Sequence, residues 1–442
     1  MKTNIKALTL LLFVALSFSS FAQKKWTLQE CIMYAQENNI SIRQGENNLM
    51  LNEQDIISAK GAFLPSISGS AGHSLTLGNA EIFPGQFVDR TANSTNFGLS
   101  LSETIYNGSR IKNQYKQAQL TYDFNSVNLN QVKENMSLDV AVAYLNILMF
   151  KERLEIAKTQ YEFSVKQLKQ VKELVDAGVQ PRANIFDSEA TLSTDAQSVT
   201  SAENDYNLAL LTLSQLLQLP FDGFEVEILE LEDPSLEIMY DKIDDVLSYA
   251  LENRGEVKMA EMMIESAELD TKIAKSGYYP SVTGGYSLGS NAFYTNLQDG
   301  EDTFFNQLNN QKSHFFNVGV NIPIFSGFRN DVNVAKSKIR EENSKLTLQQ
   351  TKLDLESNIQ RAFTDARAAL RSYEAAQKSF SSQQESFNNA QERYNIGAMN
   401  AFDLEQARVR FVNAQSSLLN AKYDFVFKTK VLDFYMGKQI TL

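Results

Sequence analysis

Two stretches of 69 residues, Ser109–Ala177 and Phe328–Ile396, contain neither glycine nor proline in a chain of 442 residues. As single α-helices each would run about 100 Å at 1.5 Å per residue, a length for which a globular domain has no use. Helices this long belong in a coiled coil or helical bundle. Shorter runs free of both residues follow each of them, Arg182–Leu219 and Ala398–Met436. Helical patterns lead in at about Leu28–Lys60 and Lys242–Lys275. One lead-in plus one trailing helix matches one long helix in length, which predicts two short helices stacked end to end beside each long one.

The symmetry reflects a duplication. Ala59–Gly69 aligns with Ala274–Gly284 at an offset of 215, and the match extends back through Tyr34–Asn38 against Tyr249–Asn253. Ile105–Arg110 meets Ile324–Arg329 at an offset of 219, as does Gly178 with Gly397. The chain therefore divides into a first repeat, 23–219, an acidic linker, 220–240, and a second repeat, 241–442. The linker carries seven acids, two prolines and no basic residue.

Residues 1–22 read as a secretory signal peptide, with Lys2 and Lys6 before apolar Ala7–Phe18 and small Ser20 and Ala22 before a cut at Gln23. About 12 apolar residues are too few to span a bilayer, and nowhere else do about 18 occur in a row. An exported chain without a transmembrane helix is left the periplasm, the exterior or an outer-membrane β-barrel. Without Lys2 and Lys6 the formal charge falls from −12 to −14, which disfavours a nucleic-acid partner. One Cys excludes an intrachain disulfide, and with two His it is too few for the common zinc frameworks. Cys31 lies in a helical pattern nine residues past the cut and does not read as a lipid acceptor. The acids and serines form no nucleophile–base constellation with a His, so neither catalysis nor a cofactor is expected.

Seven-residue recurrence marks the helices. Leu404, Phe411, Leu418, Phe425 and Leu432 run beside Ala407, Ala414 and Ala421, and the first copy offers Ile185, Leu192, Val199, Tyr206 and Leu213. Ala366, Tyr373, Phe380, Phe387 and Tyr394 recur likewise, accompanied by Phe363, Leu370, Gln377, Gln384 and Gln391. A sustained heptad implies a left-handed supercoil.

Four segments alternate with period two instead. Ile67, Gly69, Ala71, His73, Leu75 and Leu77 interleave with Ser66, Ser68, Ser70, Gly72, Ser74 and Thr76. Phe97, Leu99 and Leu101 interleave with Asn96, Gly98, Ser100 and Ser102. Val282, Gly284, Tyr286 and Leu288 alternate with small polar residues, as do Phe316, Val318, Val320, Ile322 and Ile324. Strands are expected at about 64–77, 94–105, 279–290 and 314–326, and long helices at about 108–177 and 328–396. Apolar residues outside and small polar residues inside form the membrane-barrel pattern. Four strands cannot close a barrel, so subunits must share one. Two chains would give eight strands, whose side chains fill the interior; three give 12 and leave a lumen. The fold class expected is an α+β membrane protein, a homotrimer whose 12-stranded barrel continues into a 12-helix tunnel. The alternative is a soluble periplasmic coiled-coil scaffold, its hairpins half-buried in an ordinary sheet.

The duplicated helix–strand–strand–helix–helix order, a proline opening each repeat's first strand and the acidic mid-segment together resemble the TolC-like outer-membrane efflux family over nearly all of the mature chain. The most specific local match is Tyr394-Asn395-Ile396-Gly397 followed by Phe402-Asp403-Leu404, with a degraded copy at Leu174–Gly178 and Asn184-Ile185. The resemblance implies the exit duct of a tripartite efflux or type I secretion system, in the outer membrane with a periplasmic tunnel. Its partners would be a periplasmic adaptor, an inner-membrane transporter and outer-membrane lipid. Gly178 and Gly397, each suited to a left-handed helix cap, would with Tyr394 and Pro181 form the periplasmic tips that face the adaptor. Asp403 matches an acidic position lining the entrance in the family, and three copies would make a carboxylate ring. A second family acid is replaced by Gln406; Asp187, with Asn184 before it, could substitute. Either acid could equally be a first-turn residue favourable at a helix N-terminus. His73 and His314 suit an interface or loop role better than a metal.

Overall fold

The computed structural model describes residues 25–229, 231, 233–235, 242–298 and 300–440. The expected signal peptide, 1–22, and part of the 220–240 linker lie outside them. In chain order the elements are β1 (Lys25–Trp26), α1 (Leu28–Asn38), α2 (Ile40–Gly61), β2 (Ser66–Phe83), β3 (Gln86–Asn107), α3 (Arg110–Asp176), α4 (Ala183–Leu216) and β4 (Glu225–Val226). The second copy follows with α5 (Ile243–Asn253), α6 (Gly255–Lys275), β5 (Ser281–Thr295), α7 (Phe304–Asn310), β6 (Ser313–Asn321), α8 (Arg329–Asn395) and α9 (Ala401–Tyr435). The described residues fall into two compact units, one within Met1–Glu46, Asn128–Val257 and Thr351–Leu442, the other within Asn47–Val127 and Lys258–Gln350. Each unit draws chain from both copies.

The two long helices, α3 and α8, have 67 residues each. The same device starts both: Gly108-Ser109 and Gly327-Phe328 place two successive residues at positive φ. The lead-in helices differ from the expectation of one continuous helix. α1 and α2 are broken at Asn39, and α5 and α6 at Arg254, where the backbone turns extended. These residues are related by the 215 offset, and each closes the end of a trailing helix. Asn39 Nδ2 donates to the Leu216 carbonyl at 3.3 Å while its Oδ1 accepts from Ser41 N at 2.9 Å. Arg254 Nη1 donates to the Phe434 carbonyl at 3.4 Å, and its guanidinium lies 4.2 Å from the centroid of the Phe434 ring. Each break therefore supplies a partner to orphan carbonyls at a helix C-terminus.

The first unit packs around Tyr144 of α3, which is fully buried among Leu28, Cys31 and Ile32 of α1, Leu213 of α4 and Leu419 of α9. β1 pairs in parallel with β4, and the Tyr144 hydroxyl donates to the Glu227 carbonyl at 2.5 Å, tying the N-terminal strand and the linker to the helices. Burial pushes the Tyr144 hydroxyl well above its ordinary pKa. The heptad rows meet as aromatic stacks between α8 and α9: Tyr373 on Phe425 at 6.2 Å, and Phe387 on Phe411 at 5.3 Å. The companion row on α8 holds at Phe363, which is buried, and at Leu370, which packs beside Tyr373 and Phe425, but Gln384 is exposed, and Ala369 and Ala390 are buried next to the aromatic row.

The second unit holds one antiparallel sheet in the order β2-β3-β5-β6, so the copies join through β3 and β5. The first hairpin is longer than expected; β2 and β3 run to a tight turn at Pro84-Gly85, with Gly85 at φ +82°. β6 ends earlier, at Asn321, two residues before Pro323, which has no N–H to offer a ladder. The short helix α7 was not expected. It lies beside the upper part of β5, where Gln307 Oε1 accepts from Phe293 N at 2.7 Å and Glu301 Oε1 accepts from Thr295 N at 2.8 Å.

Candidate functional site

Cross-strand register decides which side chains share a face, because a slip of one residue would exchange the faces. Ala71 pairs with Phe97 and Phe97 with Ser290; Leu101 pairs with Tyr286 and Tyr286 with Phe316. One face therefore carries Ile67, Phe97, Leu99, Leu101, Val282, Tyr286, Leu288, Phe316, Val318 and Val320. The other carries Ser66 with Ser102, Ser68 with Ser100, and Thr283, Gly285, Ser287, Asn317 and Asn321. Ser66 and Ser102 hydroxyls lie 2.8 Å apart, and Ser68 and Ser100 hydroxyls 2.9 Å apart, so the polar face is internally hydrogen-bonded. The apolar face is uncovered: Val318 is 72 % and Phe316 75 % exposed. Within the described residues β2 pairs only with β3 and β6 only with β5, leaving two open sheet edges.

At the other candidate region, the two tips are built alike. Gly178 and Gly397 sit at φ +74° and +76°. Gly178 N donates to Val175 O at 2.9 Å and Val179 N to Leu174 O at 2.8 Å; Gly397 N donates to Tyr394 O at 3.0 Å and Ala398 N to Arg393 O at 2.8 Å. Each is the paired closure of a Schellman cap, which a left-handed residue permits. Pro181 stands two residues before α4, where its carbonyl accepts from Asn184 N at 3.1 Å. Gln180 Nε2 reaches the Tyr394 hydroxyl at 3.4 Å and links the two tips. Tyr394 itself is buried against Phe387, Ala390 and Leu404. It shapes the tip from inside, so the surface a partner could touch belongs instead to exposed Val179, Phe186, Ile396 and Phe402.

Both candidate acids are exposed, Asp403 in the first turn of α9 and Asp187 just past the first turn of α4. Asp403 is fastened to the helix cap: its N–H donates to Asn400 Oδ1 at 2.8 Å and its Oδ2 accepts from Asn400 Nδ2 at 2.9 Å. Arg182, the residue capping α4, makes no side-chain cap bond, and Asp187 instead borders a cavity of about 400 Å³ with Asn184, Asn400 and Phe402. Gln167 also lines that cavity, and its buried Oε1 has no hydrogen-bond partner within the protomer.

Sequence reading missed a charge cluster just above this cavity. Arg408 of α9 is 6 % exposed. It donates to Asp195 Oδ2 of α4 at 3.1 Å, to Gln160 Oε1 of α3 at 3.4 Å, and to both carboxylate oxygens of Glu405 at 2.9 and 2.7 Å. Ser164 of α3 also donates to Asp195 Oδ2. Burial opposes the Arg408 charge, but Glu405 and Asp195 outweigh it and raise its pKa further. The signal that could have found the cluster is an acid in a row of small residues: the 219 offset pairs Asp195 with Ala414. His73 and His314 both lie on the apolar face of the sheet, bonded to Thr95 Oγ1 and to the Tyr286 hydroxyl, each at 2.9 Å. Among the described residues no cluster of His, Cys, Asp or Glu could hold a metal.

The model of the outer membrane efflux protein family matches residues 32–218 and 246–438, on either side of the linker. The outer membrane efflux protein BepC of Brucella suis is 19% identical over 312 residues, 71% of this chain and 63% of BepC, so the chain spans less than two thirds of that relative. The outer membrane protein TolC of Vibrio cholerae is 21% identical over 328 residues, 72% of this chain and 69% of TolC. The crystal structure of the Campylobacter jejuni CmeC outer membrane channel superposes with a TM-score of 0.75 at 19% identity, covering 93% of this chain and 85% of CmeC. The duplicated matches and the shared fold show that this chain belongs to the outer membrane efflux protein family.

Proposed function

We propose that the protein is the exit duct of a tripartite efflux or type I secretion system, carrying cargo from an inner-membrane transporter across the periplasm and outer membrane. The observation that carries the reading is the two-faced sheet with two open edges. In water its apolar face would be exposed at a cost of about 25 cal/mol per Å². In lipid that face is at home, but open edges are not, since every unpaired backbone group there costs several kcal/mol. Three chains joined edge to edge remove the edges and give 12 strands around a lumen lined by hydroxyl and amide groups. A soluble scaffold leaves both the face and the edges unexplained.

The helix tips suit a docking role. Exposed Val179, Phe186, Ile396 and Phe402 at the tips, with the neighbouring cavity, offer apolar contacts to a periplasmic adaptor. Asp403 and Asp187 would line the entrance, three copies each, and favour cations there. In this reading the drive for transport comes from the inner-membrane partner. The test is reconstitution. Detergent-purified protein should run as a trimer and form long-lived ion-conducting pores in planar bilayers. A monodisperse monomer that never conducts would contradict the proposal.

A further inference from the structure

Lys312 stands at one end of the apolar sheet face, on the rim of a groove. The groove measures about 430 Å³ and crosses β2, β3 and β5. Its floor is made of small residues, Gly69, Ala71 and Ser290, and its walls are Phe97, Leu99 and Leu288. The Ser290 hydroxyl donates to the Leu308 carbonyl at 2.6 Å, so it faces the groove with its donor already engaged. Phe304 of α7 stands against Phe97 at 6.5 Å and extends the wall upward. Lys312 forms the rim, where it is exposed; its Nζ donates to Asn309 Oδ1 at 2.6 Å, a neutral partner that holds the ammonium without cancelling its charge.

The height of Lys312 is informative. It immediately precedes β6, whose nine residues fall within the length needed to cross a bilayer hydrocarbon core at a tilt. The opposite end of the sheet continues into the helices, since β3 ends at Asn107 and α3 begins at Arg110. Lys312 therefore marks the boundary away from the helices, at the level of outer-leaflet headgroups. His314 lies on the same face two residues below, and His73 on β2 two residues above Ala71. In a chain with a formal charge of −12, Lys312 thus brings a positive charge to the rim of this groove.

We propose that this groove binds one phosphorylated lipid of the outer leaflet per chain, an acyl chain lying over Gly69, Ala71 and Ser290 and a headgroup phosphate meeting Lys312. The small floor residues leave room for a chain, the aromatic and leucine walls match its surface, and the groove is continuous with the face already assigned to lipid. A basic side chain at the headgroup level attracts an anionic lipid. The proposal rests on the reading of this face as membrane-embedded.

The experiment uses full-length protein in mild detergent and lipid A as the probe, with retained lipid counted by native mass spectrometry. Separate arms use enzymatically dephosphorylated lipid A and inorganic phosphate. Wild type should retain one lipid A per chain, bind the dephosphorylated form about fivefold more weakly and hold no phosphate alone. Lys312→Gln should weaken lipid A by a similar factor and abolish the preference for phosphate. Ala71→Trp, which fills the groove on an exposed position, should weaken both lipids alike. Trimer content and insertion into liposomes should be unchanged in both variants. Equal retention of the two lipids by wild type, or retention unaffected by either substitution, would overturn the site while leaving the membrane reading intact. Failure of wild type to insert into liposomes would bring down both.

Discussion

Replacing Arg408 with methionine tests whether the buried charge cluster holds three helices together. Methionine keeps much of the aliphatic stem and removes the guanidinium, leaving Asp195 and Glu405 as unpaired carboxylates. The side chains of Arg408, Asp195 and Glu405 are 7%, 12% and 27% exposed. Breaking a buried pair by deleting one partner costs about 3–5 kcal/mol. Glu405 is exposed enough to turn toward water, so its share is discounted. Asp195 is not, and keeps only the Ser164 hydroxyl. The low end of the range follows, about 3 kcal/mol, or about two orders of magnitude in a local opening equilibrium. Hydrogen exchange read by mass spectrometry resolves such openings segment by segment. Arg408→Met should speed exchange about 100-fold in peptides covering residues 190–202 and 404–414 and leave the sheet unchanged. The double variant Asp195→Ala with Arg408→Met removes both charges, and the second copy already accommodates Ala414 at the place of Asp195. It should recover most of the loss. Exchange within about twofold of wild type in the single variant, or a double variant worse than the single, would refute the coupling.

Other outcomes follow from the same geometry. Gly397→Ala should destabilise the tip by about 1–2 kcal/mol, since a left-handed residue other than glycine or asparagine is strained; no atom within 4 Å would meet the new Cβ, so Gly397→Asn should recover most of the loss. Faster tryptic cleavage after Arg393, in the last turn of α8, is the readout, and equal cleavage of all three proteins would rule out a stabilising role for the cap. Asp403→Asn keeps a side chain able to bond Asn400 but removes the charge, whereas Asp403→Ala removes both. If the acids form an entrance ring, both variants should lose cation preference in single-channel recordings; loss in the alanine variant alone would return Asp403 to a capping role. Burial, followed by the nearby Asp233 carboxylate, pushes the Tyr373 hydroxyl up to about 12, and burial likewise raises Tyr144 and Tyr423. A raised folded pKa contributes stability below pH 10 that is lost as pH rises toward 12, so these tyrosines should stay neutral in an ultraviolet titration at pH 11 and ionise only with unfolding.

Features written in local sequence were legible, and features made by distant pairing were not. The ends of α3 and α8 fall within two residues of the expected positions because Gly178 and Gly397 are needed for a left-handed cap. The faces of the sheet followed from period-two alternation, and register preserved them across all four strands. By contrast, nothing announced the breaks at Asn39 and Arg254. An asparagine or arginine in extended conformation leaves no mark in a stretch that reads as helix, and its reason is a carbonyl far along the chain. Asp195 and Arg408 are 213 residues apart and meet only when α4 and α9 pack. Helix α7 was hidden for the same reason, since its polar side chains serve the edge of β5 rather than any pattern of their own.

Substituted-cysteine accessibility along β6 reads directly whether one face of this sheet meets lipid and the other an aqueous lumen. The native thiol does not interfere, because Cys31 is fully buried. Single cysteines are placed from Phe315 to Asn321 and the proteins reconstituted into liposomes. A charged, water-soluble thiol reagent is applied from both sides. Positions 315, 317, 319 and 321 should react, and positions 316, 318 and 320 should be protected, in strict alternation. Uniform reactivity would mean that the sheet stands in water, and uniform protection that it encloses no lumen; either result would contradict the account.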